Sequence, residues 1–301
     1  MTADMPGTDP ENGHQPFSRK YVNGLGFHGF HRIHYLDWHP KSDPTSTVVC
    51  VHGLTRNARD FDYLAGHISD SFRTVCPDVA GRGDSDDLPT AESYNYLQYN
   101  ADMNALLARL HVDQVDWIGT SMGGIIGMIR AAQPNSPINS LVLNDIGAEI
   151  PKTAIRAIGD YIGQQPGFAS LDEAEQFLRT IYHEFSPMSD EDWRSITHHS
   201  FKISADGQYE MKADRKIGDA YRAAMTNHAV DMWDTWEAVS CPVLILRGKN
   251  SSFLDETTAR RMLRGRDNVS LVEFENTGHT PTLRNDEQAD IVKNWLISQH
   301  A

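Results

Sequence analysis

Cysteine is scarce: the 301 residues hold three, Cys50, Cys76 and Cys241. Each sits in or beside an apolar run, in TVVCVHG, TVCPDV and CPVLILRG. The sequence therefore predicts reduced, buried thiols and excludes a disulfide framework. Basic charge is short as well, with 27 Lys and Arg against 41 Asp and Glu and a net charge of −14. No basic patch is on offer to neutralise phosphates, which argues against nucleic acid and against an anionic membrane as partners. Long apolar runs are missing, since no stretch approaches the ~20 residues of a membrane span. The opening MTADMPGTDPENGHQPF has no apolar segment that could act as a signal peptide. Polar and rich in Pro and Gly, it predicts a flexible tail over residues 1–20. Internal repeats and low-complexity segments are absent. What remains is 40% hydrophobic and 23% charged, a soluble globular balance in one large domain or a domain with an insertion. A cytoplasmic location follows as the expectation.

Several stretches read as strands. Tyr21 to Trp38 suggests a hairpin, with Phe30 to Leu36 alternating and glycines 24, 26 and 29 near the turn. His28, His31 and His34 are spaced by three, which invites a metal reading. On a strand that spacing sends neighbours to opposite faces, so they do not converge on one ion. Val48 to Val51 is a continuous apolar run of the buried parallel type and ends in His52-Gly53-Leu54. A helix is expected around Asp60 to Ser69, then a short strand at Thr74 to Cys76. The glycines of Pro77 to Ser85 lack the G-x-G-x-x-G spacing and no helix follows at once, so a tight structural loop is preferred to a phosphate cradle. Tyr96 to Leu110 reads as an amphipathic helix, and Val115 to Ile118 as another buried strand. Further strands follow at Ile138 to Leu143, Pro242 to Leu246 and Val269 to Phe274, with a closing helix from Gln288 to Ser298.

Between residues 148 and 235 the rhythm changes to helical patterns with scattered aromatics, and Pro187 followed by Ser189-Asp190-Glu191 reads as a helix start. Strands alternating with helices imply an α/β fold, a mostly parallel sheet with helices on both faces. The core would comprise residues 21–147 and 236–301, and residues 148–235 would be an inserted helical cap.

After the strand at Val115 comes Gly119-Thr120-Ser121-Met122-Gly123, a G-x-S-x-G, and then Ile125, Ile126, Met128 and Ile129 at helical spacing. Strand, sharp turn and helix are the context in which this motif places a serine at the tip of a nucleophile elbow. The helix beyond it points backbone N–H groups at whatever the serine attacks. Functional groups of such sheets gather at the carboxyl ends of strands, where this chain carries His52-Gly53, Asp78, Ser121, Asp145, Ser251 to Asp255 and His279.

This set resembles the α/β-hydrolase family, specifically its lid-bearing serine esterase-like members. The resemblance runs from Tyr21 to the C-terminus and rests on HGL at 52–54, DVAGRGDS at 78–85, GTSMGG at 119–124 and NTGHTP at 276–281. It implies Ser121 as nucleophile and His279 as general base, with the backbone N–H groups of Leu54 and Met122 as the oxyanion hole. The Asp78 to Arg82 loop would be a structural turn beside the site. Many relatives carry an Asp three residues after the glycine ending the penultimate strand, but Leu246-Arg247-Gly248-Lys249-Asn250-Ser251 places a serine there. A serine cannot supply the charge that stabilises imidazolium. Asp145, at the end of the strand after the nucleophile helix, is the stronger candidate for the acid. Asp255 is the second, although it also reads as the N-terminal carboxylate of the helix DETTARRML.

The implied activity is cofactor-independent, metal-free cleavage of carboxylic esters through an acyl-enzyme. The same machinery suits a lactone, a carbon–carbon bond or perhydrolase and haloperoxidase chemistry. Haloalkane dehalogenation is excluded because the elbow carries Ser and not Asp. A reading of another class is a non-catalytic small-molecule receptor, motivated by Ser251. The expected partner is a small ester with an apolar acyl part, held by cap aromatics and methionines such as Met188, Met225 and Met232. A homodimer is left open.

Overall fold

The computed structural model describes residues 16–163, 166–224 and 229–301. Met225 and the part of the expected tail before residue 16 lie outside the described residues.

Eight strands make one sheet: β1 (Phe17–Gly26), β2 (Gly29–Trp38), β3 (Ser46–Val51), β4 (Phe72–Pro77), β5 (Val115–Thr120), β6 (Ile138–Asn144), β7 (Val243–Gly248) and β8 (Val269–Phe274). Their order in space is β1-β2-β4-β3-β5-β6-β7-β8. The six from β3 onward pair in parallel, whereas the β1–β2 hairpin lies antiparallel along β4. Strand β1 starts at Phe17 and pairs residue by residue with β2, so the tail expected to reach residue 20 ends earlier. The cause is packing: Phe17 is buried with its ring centroid 4.9 Å from that of Trp38, while the charged Arg19 and Lys20 face outward on an edge strand.

Side-chain alternation divides the sheet's two faces between two cores. In β3, Val49 and Val51 pack into the cluster that contains Met103 and Leu106 of α2 (Tyr96–Leu110) and Ile126 of α3 (Met122–Ala131). Val48 and Cys50 point the other way, toward Leu64 and Ile68 of α1 (Asp62–Ile68) and Val292 and Leu296 of α10 (Asp286–Ser298). Being sandwiched on both faces is what the continuous apolar runs require. Cys50 and Cys76 are buried, Cys241 is half-buried, and all three are free thiols. Within the hairpin His31 is buried and bonds Asp102 at 2.9 Å, so its ring is engaged by a carboxylate. No helix among the described residues is long and apolar enough to cross a membrane.

Between β6 and β7 the chain forms α4 (Lys152–Tyr161), α5 (Leu171–Ile181), α6 (Asp190–Ser200), α7 (Lys216–Ala224) and α8 (Trp233–Ala238). The expected boundary at residue 235 therefore falls inside α8. Helix α6 starts where the sequence predicts, with Ser189 and Asp192 forming a reciprocal capping box. This segment carries a small core of its own, including Leu178, Tyr182, Trp193, Ile196 and Phe201. Beyond β7, α9 (Glu256–Leu263) leads into β8.

Candidate active site

Ser121 stands between β5 and α3 with φ 50° and ψ −112°, a conformation that costs a non-glycine residue energy and persists only where its surroundings hold it. Its N–H donates to the Asn144 carbonyl at 3.0 Å, and its own carbonyl accepts from Gly124 N and Ile125 N at 2.9 and 3.1 Å. The flanking glycines are a matter of space. A Cβ on Gly119 would lie 2.3 Å from the Gly123 carbonyl oxygen, and one on Gly123 2.0 Å from that of Val51. The turn closes only if both residues lack side chains.

His279 follows β8, and Asp145 follows β6. The imidazole Nε2 lies 3.0 Å from Ser121 Oγ and Nδ1 lies 2.7 Å from Asp145 Oδ2. Because the carboxylate can only accept at Nδ1, that nitrogen carries the hydrogen and Nε2 presents its lone pair to the serine. Asp145 is fully buried, and its oxygens also accept from Gly248 N at 2.9 Å and Ser251 Oγ at 2.5 Å. Ser251 in turn accepts from Phe253 N and Leu254 N, both at 3.1 Å. The phenyl ring of Phe253 stacks on the imidazole, with centroids 3.8 Å apart and planes 18° apart. The loop of His279 is fastened from the helical segment: Gly278 N donates to the Glu184 carbonyl at 2.9 Å and Ser186 N to the Thr280 carbonyl at 3.1 Å.

The HGL and DVAGRGDS loops lock together beside the serine. His52 is fully buried; its Nε2 accepts from Val79 N at 3.0 Å, so Nδ1 must be the donor to the Gly53 carbonyl at 2.7 Å. Burial pushes this imidazole down to about 4, which keeps it neutral and structural. Arg82 is also fully buried, donating from Nε to the Leu54 carbonyl at 2.9 Å and from Nη1 to Ala80 O and Tyr99 OH at 2.8 and 3.0 Å. Asp78 accepts from Ala58 N and Asp84 N, while burial raises its carboxyl to about 7. Leu54 is thereby pinned next to Ser121, and Met122 begins α3, where the first N–H groups have no acceptor within the helix.

Two cavities open from Ser121. One, of about 340 Å³, runs past Thr55, Arg56, Asp60, His279 and Arg284. The other, of about 400 Å³, is lined by Met122, Ile125, Ile146, Ile150, Ile155 and further residues without a charged side chain. Leu54, Ser121, Ile158 and Phe253 border both. Among the described residues, no three His, Cys, Asp or Glu side chains gather as a metal site would require.

The structure thus brings Ser121, His279 and Asp145 into one hydrogen-bonded line, with Leu54 and Met122 at its serine end. It places Asp255 elsewhere: exposed, with Oδ1 accepting from Thr258 N at 2.7 Å as the N-cap of α9. Of the methionines named from sequence, Met232 lines the apolar cavity, whereas Met188 packs against the small helical core. Sequence reasoning missed the link from Ser251 to Asp145, the stacked Phe253 and the reach of Arg82 to Leu54. A hydroxyl at the position where relatives carry an acid was a usable signal for the first. Nothing in the sequence singles out Phe253.

Residues 46–286 match the sequence profile of the alpha/beta hydrolase fold. The chain is 40% identical to a 3-hydroxybutyrate-oligomer hydrolase of Cupriavidus necator, over 92% of this chain and 96% of the relative. It is 26% identical to a 2-(acetamidomethylene)succinate hydrolase of Mesorhizobium japonicum, over 77% and 81% respectively. A crystal structure of an alpha/beta hydrolase from Novosphingobium aromaticivorans superposes with a TM-score of 0.83 at 31% identity, covering 95% of this chain and all (100%) of that one. The chain belongs to the α/β-hydrolase family, and it is a hydrolase.

Proposed function

We propose that this chain is a serine esterase whose substrates are oligomeric esters of a short hydroxy acid. The observation that carries the reading is the unbroken line from Ser121 Oγ through His279 to Asp145, at 3.0 and 2.7 Å. The likeness to the 3-hydroxybutyrate-oligomer hydrolase supports the substrate class.

In this reading Ser121 Oγ attacks the ester carbonyl while its proton passes to His279 Nε2. The carbonyl oxygen, now negative, lies against the N–H groups of Leu54 and Met122. Collapse breaks the ester C–O bond, and His279 returns the proton to the departing alcohol. Water repeats the sequence on the acyl-enzyme and releases the acid. Asp145 holds the imidazole in the required tautomer and stabilises it when charged. Helices α4 to α7 act as the cap that walls the cavities. The apolar cavity takes the acyl part. The chemistry needs no cofactor, and the cytoplasm suits its free thiols. A non-catalytic receptor loses the departure that motivated it, because Ser251 serves a carboxylate in place of being one.

The test is hydrolysis of 3-hydroxybutyrate oligomers and of p-nitrophenyl esters from acetate to laurate, with wild type beside Ser121→Ala. Turnover should fall roughly 10⁴-fold or more in the variant. Equal turnover in both proteins would sink the assignment of the nucleophile.

A further inference from the structure

The two cavities differ in which side of the reaction they can serve. His279 borders the charged cavity and not the apolar one, whereas Met122 borders the apolar one and not the charged. The group that returns a proton to the leaving oxygen must sit on the leaving side. The alcohol half of an ester held at Ser121 therefore extends into the charged cavity.

Charge bookkeeping then narrows what that half carries. Arg56 is spent: Nε and Nη2 hold Asp60 at 2.9 and 2.5 Å, and Nη1 holds Ser200 at 3.0 Å. Glu184 accepts from Ser252 Oγ at 3.0 Å. Arg284 is different. Its side chain is only 10% exposed, Nε donates to Asp192 Oδ1 at 3.1 Å, and Nη2 reaches Ser195 Oγ at a long 3.4 Å. Its Nη1 has no hydrogen-bond partner among the described residues. The Asp192 carboxylate is shared, since its other oxygen accepts from Ser189 N and Ser189 Oγ in the cap of α6. A nearly buried guanidinium with donors to spare, in a cavity wall, favours an anion of planar shape.

We infer that Arg284 receives a carboxylate at the far end of the leaving alcohol, so that the enzyme prefers esters whose alcohol half is itself a free hydroxy acid. The inference rests on the proposed esterase reading and deepens it. The ester C–O bond breaks, the proton from Ser121 ends on the hydroxyl oxygen, and the hydroxy acid departs with its carboxylate on Arg284. The acyl half stays on Ser121 in the apolar cavity, which offers no charged partner. Cleavage is thereby directed to the ester bond nearest a free carboxyl terminus.

The experiment compares 3-(butanoyloxy)butanoate with its methyl ester, following butanoate release by wild type, Arg284→Gln and Arg284→Lys. The wild-type ratio of kcat/KM, acid over methyl ester, should exceed about ten, the factor of one interaction of about 1.4 kcal/mol. It should fall toward one in Arg284→Gln and stay partly intact in Arg284→Lys. Both esters are run on the same preparation, so the folded fraction of each variant cancels in the ratio, and thermal melts check the fold. A wild-type ratio near one, or a ratio that survives in Arg284→Gln, overturns the inference. p-Nitrophenyl butyrate, whose leaving group has no carboxylate, keeps the two readings apart. Turnover of it with no acid preference refutes the carboxylate site alone, and no turnover of any ester above Ser121→Ala refutes both.

Discussion

Two walls face each other across Ser121, and they are built on different principles. One consists of strand ends and the turns that leave them: the elbow, the His52 to Leu54 loop, and the loops carrying Asp145, Ser251 and His279. Its groups are held by backbone hydrogen bonds, forbidden Cβ positions and a buried carboxylate with three donors on it. The other wall is the helical segment between β6 and β7, which lends apolar side chains such as Ile155 and Ile158 and is tied to the first by hydrogen bonds that include Arg56 to Ser200, Asp214 to Gly81 and Gly278 to Glu184. In the first wall the two elbow glycines and the bonded set Ser121, His279 and Asp145 leave little room for substitution. The second asks only for a shape. Chemistry is therefore fixed in the strand-end wall, while the helical one chiefly shapes the space the substrate fills.

The sharpest way to break the comparison is to neutralise the carboxylate that the strand-end wall buries. Asp145→Asn keeps the shape but presents an amide to Nδ1, favouring the wrong imidazole tautomer, so kcat should drop roughly 10⁴-fold with folding intact. Asp255→Asn, at an exposed N-cap, should cost at most about 1 kcal/mol of stability and leave kcat within a factor of two. Steady-state kinetics with thermal melts on both variants decide it. A dead Asp255→Asn beside an active Asp145→Asn would reverse the assignment.

A second difference should show in acid. His52 is locked neutral inside the strand-end wall, with its value pushed by burial from 6.5 down to about 4. The unfolded chain takes up a proton between those two values that the folded chain refuses. Stability therefore falls as pH drops from about 6.5 to about 4, by as much as ~3 kcal/mol from this group. His31 acts in the opposite sense: its hydrogen bond to Asp102 raises its value above 6.5, so its contribution is full below 6.5 and is lost as pH rises through the raised value. Urea midpoints measured from pH 4 to 8 should show His52→Gln flattening the acid limb and Asp102→Asn removing the loss toward neutral pH. An acid limb unchanged in His52→Gln would show that the burial of His52 does not control it.

How much of this was legible in the sequence follows the same division. Backbone constraints write themselves into residue identity, which is why GTSMGG, HGL and NTGHTP could be read as strand-end geometry. The sheet followed from its apolar runs, since a strand covered on both faces must be apolar throughout. From sequence β1 starts only at Tyr21, because Arg19 and Lys20 look like a polar tail, and an edge strand tolerates charge on its outward side. Ser251 read as a missing acid because one position was judged alone, whereas in the fold its hydroxyl meets Asp145 from a neighbouring strand end. Of the apolar cavity only Met232, named among the cap residues expected to hold an acyl part, was legible, and the isoleucines that line much of it were not. An isoleucine on a helix has the same periodicity whether it faces a packed core or an open pocket, so Ile155 carries no mark of its place.

That ambiguity makes Ile155 the finest probe of the comparison. It lies in α4, is 6% exposed and borders the apolar cavity together with Ile125, its counterpart in α3. Ile155→Ala removes apolar volume from the wall that only asks for shape, so the acyl chain-length optimum should move to longer esters. A methylene in such a pocket is worth about 1–3 kcal/mol, and partial collapse of the cap should leave a change of roughly tenfold in the ratio of long to short chains. Ile125→Ala makes the same deletion on the helix that opens at the elbow, where loosening α3 also disturbs Met122. It should lower kcat for every chain length and shift the optimum less. Chain-length profiles for the two variants, measured side by side, separate the walls. Matching profiles would show that α4 and α3 contribute to the pocket in the same way, and that the division drawn between them is too sharp.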